Sequence, residues 1–551
     1  MKLNGAQIVA KQLIAHGITT VFGYPGGQVL PLYDELYRNA DKINHILTAD
    51  EQGAAHAADG WARASGKTGV VIATSGPGAT NLVTGIATAY LDSVPLVAIT
   101  GNVPVSMLGK DSFQEVDIVG ITQPVVKHSF AVWNVKNLEH TLNEAFRVAN
   151  SGRKGPVLVD IPRNVQVDTC EYIGQPFAQK TKTPYSFDAK QLADVINNSK
   201  KPFIYAGGGV IASGAQEQLR ELSEKLSAPV GFSMMGLTAL PHDYGLNLGM
   251  CGMHGKYAAT VAKSECDVMI ALGVRFSDRA TGNVDAFQED KIIIHVDIDL
   301  AEIGKNVPSV ITACGDIKEI LTDLLPKISV SCNDEWISRI EELKHIQQEP
   351  QNEKFTPKNI IETVEEILDK DILIATDVGQ HQMWVMQYYK FQKPQTLLTS
   401  GGLGTMGYGL GAAIGGCLAM NKKRTVLFTG DGSFGMNLNE LVTAVSNETP
   451  LVIVLLNNGV LGMVRQWQNM FYDHRYSQTT LNRKTNFAAL AEAFGAHGHT
   501  VDNLSQFKEI LGNLPENIPV VIDCRICMDE KVFPMIPPGG TVKDIVIREK
   551  E

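Results

Sequence analysis

The 551 residues of the chain exceed what a single hydrophobic core usually holds, so we expect about three domains. Hydrophobic residues make up 44% of the chain, charged residues 19%, and 51 residues are glycine, which is typical of a soluble α/β protein. The net charge of −11 and the lack of a basic block exclude nucleic acid or an anionic membrane surface as the main partner.

The N-terminus and the cysteines indicate a cytoplasmic protein. The N-terminus lacks the basic and apolar regions of a secretory signal. The uncharged stretch 68–91 is interrupted by Ser75-Gly-Pro-Gly-Ala-Thr-Asn81, so we expect a strand, a turn and a helix there and no membrane span. The 8 cysteines are scattered, and Cys524 and Cys527 form a C-x-x-C without a second pair. We interpret them as reduced structural thiols.

Short apolar runs alternate with longer helical stretches along the chain. Runs rich in Val, Ile and Leu that end in polar or glycine residues predict buried parallel strands. They lie at 68–74, 94–100, 157–161, 203–206, 268–272, 292–296, 372–376, 426–429, 451–456 and 520–522. In such folds the functional residues follow the carboxyl ends of the strands.

Two stretches break this alternation, at 169–188 and 333–358, and we interpret both as interdomain connections. The sequence therefore predicts an α/β protein of three doubly wound domains with mainly parallel sheets. The predicted domains are 1–168, 189–330 and 355–525, followed by a tail at 526–551.

The first domain contains a glutamate at the start of an alanine-rich helix, Asp50-Glu-Gln-Gly-Ala-Ala-His-Ala-Ala-Asp-Gly-Trp-Ala-Arg63. On its own, Glu51 would be interpreted as a surface residue stabilised by the helix dipole. It gains a role in proton transfer only if it is poorly solvated and its helix faces another domain.

The middle domain contains a strand that ends in three glycines, Pro202-Phe-Ile-Tyr-Ala-Gly-Gly-Gly209. Such a turn lets a phosphate-bearing ligand lie against the backbone, although the glycine run is a weak signal alone. Asp297 and Asp299 end another strand, as a ribose-binding acid would, and Asp316 follows a third.

The third domain contains a β-α-β unit with polar residues after both strands. Arg424-Thr-Val-Leu-Phe-Thr-Gly-Asp-Gly432 is a strand and a tight turn, and the strand 451–456 ends in Asn457-Asn458. Adjacent parallel strands would bring Asp431 and Asn458 to one sheet edge. Their oxygens suit a hard cation that also binds a diphosphate, and the flanking glycines let phosphates approach the backbone.

The segment from Gly430 to Asn458 resembles the thiamine-diphosphate motif, which binds Mg²⁺ in its superfamily. Over nearly the whole chain, further segments resemble the catalytic large subunits of acetohydroxyacid synthases (acetolactate synthases). They are Phe22-Gly-Tyr-Pro-Gly-Gly27, Ser75-Gly-Pro-Gly-Ala-Thr-Asn81, Asp111-Ser-Phe-Gln-Glu-Val-Asp117, Gly252-Met-His-Gly255, Arg275-Phe-Ser-Asp-Arg279, Asp377-Val-Gly-Gln-His-Gln-Met-Trp384 and Gly401-Gly-Leu-Gly-Thr-Met-Gly-Tyr-Gly409.

The resemblance implies a pyrimidine-binding domain, a middle FAD-binding domain and a diphosphate-binding domain, in that order. It implies an enzyme that decarboxylates pyruvate and joins the two-carbon unit to pyruvate or 2-ketobutyrate. The products would be 2-acetolactate and 2-aceto-2-hydroxybutyrate, in the first common step of branched-chain amino acid biosynthesis. The FAD would have a structural role, because the reaction involves no net electron transfer.

The same resemblance implies roles for individual residues. Glu51 would activate the thiamine cofactor, Gly27 would offer an amide near the reacting carbon, and Gln114 would stand at the substrate entrance. The implied metal ligands are Asp431, Asn458 and the carbonyl of Val460. The implied thiamine-diphosphate contacts are Tyr24, Pro25, Val378, Gln380, His381, Gly404, Met406, Gly430, Gly432, Ser433 and Met463, with Met406 between the two cofactor rings.

Two further sets of residues follow from the resemblance. The implied FAD contacts are Arg153, Gly207, Gly208, Gly209, Met253, His254, Gly273, Arg275, Asp297, Ile298 and Asp316. The implied substrate contacts are Phe113, Arg163, Arg279 and Trp467. Arg279 would hold the carboxylate of the second keto acid, and Trp467 would face the extra methyl of 2-ketobutyrate.

The resemblance also implies a homodimer with active sites between subunits, while a tetramer and a small regulatory subunit stay open. The tail would close over the site as a lid. Asp50 stands where the family usually has His, and Arg163 where it usually has Lys. Alternatives are a catabolic acetolactate synthase, a pyruvate oxidase-like enzyme, or a silent homologue that only binds partners. The presence of Glu51, Asp431 and Asn458 counts against the last.

Overall fold

The computed structural model describes residues 1–174, 186–308, 311–346 and 354–548, and these form three parallel sheets of six strands each. The predicted interdomain connections at 169–188 and 333–358 fall partly outside the described residues. The α/β class and the parallel sheets predicted from the apolar runs are confirmed. No helix among the described residues has both the length and the apolar character needed to cross a membrane.

The first sheet has the strand order β3-β2-β4-β5-β7-β6, and β1 pairs with β8 in a separate antiparallel ribbon. Its strands are β1 (Lys2–Asn4), β2 (Thr20–Tyr24), β3 (Asn44–Leu47), β4 (Gly69–Ala73), β5 (Leu96–Asn102), β6 (His128–Ala131), β7 (Pro156–Pro162) and β8 (Thr169–Glu171). Its helices are α1 (Gly5–Ala15), α2 (Leu30–Arg38), α3 (Glu51–Ser65), α4 (Pro77–Asn81), α5 (Val83–Leu91), α6 (Ile118–Thr122), α7 (Val135–Asn150) and α8 (Arg163–Val167).

The middle sheet has the order β11-β10-β9-β12-β13-β14. Its strands are β9 (Pro202–Ala206), β10 (Val230–Phe232), β11 (Asn247–Met250), β12 (Val268–Leu272), β13 (Ile292–Asp297) and β14 (Ile311–Cys314). Its helices are α9 (Ala189–Asn197), α10 (Gly208–Ser213), α11 (Gln216–Leu226), α12 (Tyr257–Glu265), α13 (Asp278–Thr281), α14 (Val284–Gln288), α15 (Ile317–Leu324) and α16 (Asp334–Ile346).

The third sheet has the order β16-β15-β17-β18-β20-β19. Its strands are β15 (Leu373–Thr376), β16 (Leu397–Leu398), β17 (Thr425–Gly430), β18 (Leu451–Asn457), β19 (His497–Val501) and β20 (Val520–Arg525). Its helices are α17 (Pro357–Ile367), α18 (Gln380–Tyr388), α19 (Tyr408–Ala419), α20 (Asp431–Asn437), α21 (Leu441–Ser446), α22 (Gly462–Phe471), α23 (Phe487–Ala493) and α24 (Leu504–Leu511).

The strand orders locate the ligand-binding crevices. Numbered from its own first strand, the middle sheet follows 3-2-1-4-5-6, the order of dinucleotide-binding folds, and the two outer sheets share the order 2-1-3-4-6-5. In all three, ligands are expected outside the carboxyl ends of the strands where the order reverses. These points lie between β2 and β4, between β9 and β12, and between β15 and β17.

The first and third sheets are joined by the helices α3 and α19, which cross at small residues. A Cβ on Gly415 would lie 1.8 Å from the carbonyl oxygen of Ala57, and one on Gly60 would lie 2.2 Å from that of Ala412. Glycine therefore permits backbone-to-backbone contact. At its start, α3 is capped by Asp50, whose side chain accepts a hydrogen bond from the Gln52 amide.

Candidate active site

The predicted metal and diphosphate residues gather at the carboxyl edge of the third sheet. Gly430 of β17 pairs with Leu456 of β18, so Asp431 and Asn458 follow neighbouring strands. Asp431 is 6% exposed, and burial raises its pKa to about 6. The Asn458 amide donates to Gln380 Oε1 over 3.1 Å, and Val460 N donates to Asn458 Oδ1 over 3.2 Å. The carboxylate of Asp431, the amide oxygen of Asn458 and the backbone carbonyl of Val460 are ligands of the kind that a hard cation prefers, with further ligands supplied by a diphosphate.

Among the described residues, no group of three or more His, Cys, Asp or Glu side chains could hold a metal ion. His381 supports a diphosphate at the edge of the third sheet: its Nε2 is buried without a hydrogen-bond partner among the described atoms, and burial lowers its pKa to about 3. A Cβ on Gly430 would lie 3.0 Å from His381 Nδ1, so glycine keeps this corner compact.

Asp377 is a further candidate site residue, which the sequence reasoning did not single out. It directly follows β15 and is 1% exposed. Its Oδ1 accepts from Val378 N at 2.9 Å and from Gly407 N at 2.8 Å, which fixes the positions of the predicted cofactor residues Val378 and Met406 relative to each other. The signal was present in the sequence, because an aspartate directly follows a buried strand.

A second cluster lies at the carboxyl edge of the first sheet. Glu51 is half-buried, and its Oε2 accepts from Asn81 Nδ2 at 3.0 Å. A Cβ on Gly78 would lie 2.9 Å from Glu51 Oε1, and one on Gly76 would lie 2.9 Å from the carbonyl oxygen of Gln114. Gln28 N donates to Thr74 Oγ1, which brings the neighbouring Gly27 to the same edge.

Within one chain, the start of α3 contacts the third domain at Glu440, whose Oε2 accepts from the Ala49 amide at 3.2 Å. No hydrogen bond or ion pair among the described residues joins Glu51, Gly27 or Gln114 to the edge that carries Asp431 and Asn458. Around the first cluster, Tyr24 is 42% exposed and Phe113 is 83% exposed. Arg163, at the end of β7, is also exposed. The first cluster therefore faces outward from its own chain.

The middle sheet opens onto a cavity of about 2350 Å³ that reaches both outer sheets. Ten of the eleven predicted FAD residues line it: Arg153, Gly208, Gly209, Met253, His254, Gly273, Arg275, Asp297, Ile298 and Asp316. Gly207 lies where the strand order reverses, and a Cβ there would lie 2.1 Å from the carbonyl oxygen of Gly273. The volume exceeds the roughly 300–1,000 Å³ of ordinary ligand pockets, so it has room for a large cofactor.

Charged groups of this cavity fit an elongated anionic nucleotide. Arg275 is half-buried, and burial lowers the pKa of its guanidinium. Asp297 ends β13, and burial raises its pKa to about 6. Arg153 reaches from the first sheet and donates to Glu302 Oε1 at 2.8 Å. Burial, with the nearby Arg279 charge, lowers the pKa of His254 to about 4.

The same cavity brings two of the four predicted substrate residues next to four of the predicted thiamine-diphosphate residues, while Phe113 and Arg163 do not line it. Val378, Gly404, Met406 and Met463 line it, together with Arg279 and Trp467. The Arg279 guanidinium carbon stands 5.6 Å from the centre of the Trp467 ring. Arg279 lies on α13, in the domain of the middle sheet, and Trp467 lies on α22, in the domain of the third sheet. A cation and an aromatic face from two domains therefore meet here.

The C-terminal tail lies against the residues of both cofactor regions. Gln380 Nε2 donates to the Glu530 carbonyl over 2.8 Å, and Gln466 exchanges hydrogen bonds with the backbone of Val532. Ile536 N donates to the Met253 carbonyl. The tail therefore runs from the third sheet to the middle sheet.

Comparison with known proteins gives matches over all three sheets. The models of thiamine pyrophosphate enzymes match residues 3–121 (N-terminal TPP binding domain), 189–324 (central domain) and 377–524 (C-terminal TPP binding domain). The acetolactate synthase isozyme 3 large subunit of Escherichia coli K12 is 41% identical, covering 100% of this chain and 99% of that protein. The acetolactate synthase large subunits of Lactococcus lactis and Corynebacterium glutamicum are each 43% identical, covering 97% and 99% of this chain and 95% and 90% of theirs.

Proposed function

The chain belongs to the thiamine pyrophosphate (thiamine diphosphate) enzymes, among the acetolactate synthase large subunits, and we propose that it catalyses the reaction those relatives are named for. One pyruvate loses carbon dioxide, and its two-carbon remainder is joined to a second pyruvate or to 2-ketobutyrate. The observation that carries this proposal is the meeting of Arg279 and Trp467 with Val378, Met406 and Met463 on one cavity. A site for an acceptor acid thus adjoins the residues assigned to the cofactor.

In this proposal, Asp431, Asn458 and the carbonyl of Val460 would hold Mg²⁺, which would supply positive charge for the diphosphate. Thiamine diphosphate supplies the electron sink for decarboxylation when it is bound. The His381 imidazole, whose Nε2 is buried without a hydrogen-bond partner among the described atoms, would lie against the diphosphate. Glu51 holds the proton at the pyrimidine end of the site, and Gly27 offers an unobstructed backbone there, since nothing lies within 4 Å of a Cβ built on it.

Arg279 and Trp467 select the acceptor. A guanidinium binds a carboxylate with two parallel hydrogen bonds, which a lysine cannot reproduce. The Trp467 ring offers an apolar face beside it, and an added methyl in such a pocket is worth about 1–3 kcal/mol. That is enough to favour 2-ketobutyrate over a second pyruvate as acceptor.

We assign the active unit to a homodimer in which Glu51 of one chain serves the diphosphate edge of the other. This is supported by the lack of a hydrogen bond or ion pair between the two clusters among the described residues, and by apolar side chains exposed around both. Around the first they are Tyr24, Leu30, Leu47, Met107, Phe113 and Ile121, and around the second they are Leu403, Met436 and Val442. A second copy would cover both patches with one two-fold interface.

FAD is the ligand we assign to the middle cavity, with a structural role. The strand order 3-2-1-4-5-6, the close approach of Gly207 to Gly273 and the half-buried Arg275 support a dinucleotide there. We also retain the division into pyrimidine-binding (1–168), FAD-binding (189–330) and diphosphate-binding (355–525) domains with a lid-forming tail. The helix α16, which was expected to be part of a connection, packs on the middle sheet through Trp336 and extends the second domain.

Three further assignments complete the proposal. The relatives are named large subunits, which supports a smaller regulatory partner for this chain. The eight free cysteines support a reducing cytoplasm. The product 2-acetolactate would enter branched-chain amino acid biosynthesis.

The test is an assay of the purified chain with thiamine diphosphate, Mg²⁺ and FAD, supplied with pyruvate alone and with pyruvate plus 2-ketobutyrate. We expect carbon dioxide and 2-acetolactate from the first mixture and mainly 2-aceto-2-hydroxybutyrate from the second. Oxygen consumption with acetyl phosphate or peroxide as product would show a pyruvate oxidase and refute the proposal. An absence of preference for 2-ketobutyrate would indicate the catabolic type of enzyme.

A further inference from the structure

The loop between β16 and α19 contains Gly404 and Met406, and its first residues are held by a carboxylate from the first sheet. Asp92, which follows α5, accepts from Gly402 N at 2.7 Å through Oδ1 and from Gly401 N at 3.0 Å through Oδ2. The Asp92 side chain is fully buried. A Cβ on Gly402 would lie 2.8 Å from Asp92 Oδ1, so any larger residue would push the carboxylate away.

Arg63 of α3 links Asp92 to the other end of the same loop. Its Nη2 donates to Asp92 Oδ2 at 3.0 Å, and its Nε donates to Asp59 Oδ1 at 2.6 Å. Asp59 Oδ1 also accepts from the hydroxyl of Tyr408, the first residue of α19, at 2.6 Å. Burial alone would lower the pKa of Arg63, yet Asp59, Tyr408 and Asp92 raise it well above its ordinary value.

A third contact holds the middle of the loop. The Thr88 and Thr405 hydroxyls are 2.7 Å apart and both buried. The loop is thus attached to the first sheet at Gly401, Gly402 and Thr405, and again through Tyr408 where it enters α19.

The loop itself has little intrinsic rigidity. Gly404 has φ +70° and Gly407 has φ +87°, a region that glycine adopts most easily. A glycine-rich segment loses much conformational freedom when it is ordered, and a ligand that must order it binds less tightly. External attachments that order the loop beforehand remove that loss.

We propose that Asp92, supported by Arg63, is a positioning residue that holds the loop of Gly404 and Met406 in the conformation that binds thiamine diphosphate. The side chains of Asp92, Asp59, Arg63 and Tyr408, which we call the clamp, are two carboxylates, a guanidinium and a phenol, all buried. Since buried ion pairs add little net stability, their retention is better explained by the geometry they impose. The first domain of a chain would then shape its own chain's cofactor site while its Glu51 serves the partner's site, as proposed above.

The test is the Asp92→Asn variant, which keeps the shape of the side chain but removes its charge and one acceptor. Thiamine diphosphate is titrated into the full chain by calorimetry, with Mg²⁺ and FAD present and no substrate. We expect its Kd to rise about tenfold, which corresponds to about 1.4 kcal/mol. At saturating thiamine diphosphate, kcat should stay within about threefold of the wild type. Asp92 also lines the cavity assigned to FAD and its charge acts on Arg275, so the Kd for FAD should rise as well, but less than the Kd for thiamine diphosphate.

The matched control is Asp34→Asn. Asp34 forms an exposed ion pair with Arg38 on α2, at 2.9 Å. The two residues are four positions apart in the sequence, as are Asp59 and Arg63 of the buried pair. Its loss should leave the Kd of thiamine diphosphate unchanged. Thr88→Val serves as a second, uncharged variant, for which we expect a Kd increase of about threefold, about 0.65 kcal/mol.

Two results would overturn the proposal. One is a folded Asp92→Asn variant with wild-type affinity for thiamine diphosphate. The other is an equal loss of affinity for thiamine diphosphate and FAD, which would show a general loosening between domains. If Asp92→Asn does not fold, Thr88→Val decides, and an unchanged Kd refutes the clamp. Because binding is measured without substrate, a failure of the proposed reaction would leave this test intact.

Discussion

Asp377 offers a quantitative test, because its buried carboxylate holds Val378 and Gly407 and also perturbs stability. The perturbation is Asp377→Asn. Both amides bond to Oδ1, so an asparagine oxygen can still accept them, but the charge assistance is lost. The carboxylate also accepts from the Gly409 amide and, through Oδ2, from the Thr429 hydroxyl at 3.5 Å. An asparagine places an amide nitrogen, which cannot accept, in the position of one of the two oxygens, and an unsatisfied buried partner costs about 1–3 kcal/mol.

The burial of the charge acts in the opposite direction. Burial raises the pKa of Asp377 to about 6, against about 3.9 in an unfolded chain. This two-unit increase already includes the hydrogen bonds, which lower the pKa, and it corresponds to about 3 kcal/mol against the ionised form. The relief of this buried charge and the loss of acceptor capacity at Oδ2 nearly cancel at pH 8, so we expect the free energy of unfolding of the variant to lie there within about 1 kcal/mol of the wild type.

The pH dependence separates the two terms. Because the pKa of Asp377 is raised in the folded state, the folded wild type takes up a proton between about pH 6 and pH 4, a range in which the unfolded chain stays mostly deprotonated. The stability of the wild type therefore increases as the pH falls through this range. Between pH 8 and pH 5 this amounts to about 1.4 kcal/mol, which the asparagine variant cannot gain. Urea unfolding of the cofactor-free chain at both pH values gives the difference.

The same variant should bind thiamine diphosphate about five- to tenfold more weakly, because weaker hydrogen bonds leave Val378 and Met406 less well fixed. Calorimetric titration at pH 8 measures this. The account of Asp377 fails if the stability difference between wild type and variant is the same at pH 8 and pH 5. It also fails if cofactor affinity is unchanged.

Further variants test the other parts of the site. Glu51→Gln should keep the contact with Asn81 and the melting temperature but lower kcat at least 100-fold in the pyruvate assay, and near-normal turnover would exclude Glu51 from the mechanism. Arg279→Lys should raise the KM for 2-ketobutyrate about tenfold. Lys263→Met should raise it about threefold, because the buried Lys263 ammonium donates to the Ala280 carbonyl at 2.6 Å, next to Arg279. An unchanged ratio of the two products would contradict both expectations. Removal of Mg²⁺ with EDTA should release thiamine diphosphate on gel filtration while FAD stays bound, and co-release of both would contradict separate sites.

The strands were predictable because buried parallel strands combine apolar runs with abrupt polar ends. The run 451–456 became β18 (Leu451–Asn457) and the run 426–429 became part of β17 (Thr425–Gly430). Strands such as β10 (Val230–Phe232) and β16 (Leu397–Leu398) gave no comparable signal, because two or three residues are too short for a pattern. The strand order was likewise out of reach, since alternation of strand and helix is compatible with several orders.

The candidate site divides in the same way. Asp431 and Asn458 lie at one edge because neighbouring parallel strands end together, a consequence of local chain geometry. The meeting of Arg279 with Trp467 depends on how the middle sheet packs against the third, and no local pattern contains that information. The hydrogen bonds from Gly401 and Gly402 to Asp92 depend likewise on packing between domains.

This division explains why a family resemblance assigned Met406 a role while the residues that hold its loop were missed. A motif consists of residues close in sequence, whereas Asp92 and Gly402 are 310 positions apart. Asp92 in isolation is an aspartate at the end of a helix, which is typically a solvent-exposed residue. Its role is indicated only by the structure, in which the Asp92 side chain is fully buried and accepts hydrogen bonds from two amides and the Arg63 guanidinium. Residues that position a cofactor loop from another domain are therefore found from burial and hydrogen bonding, after the domains have been placed together.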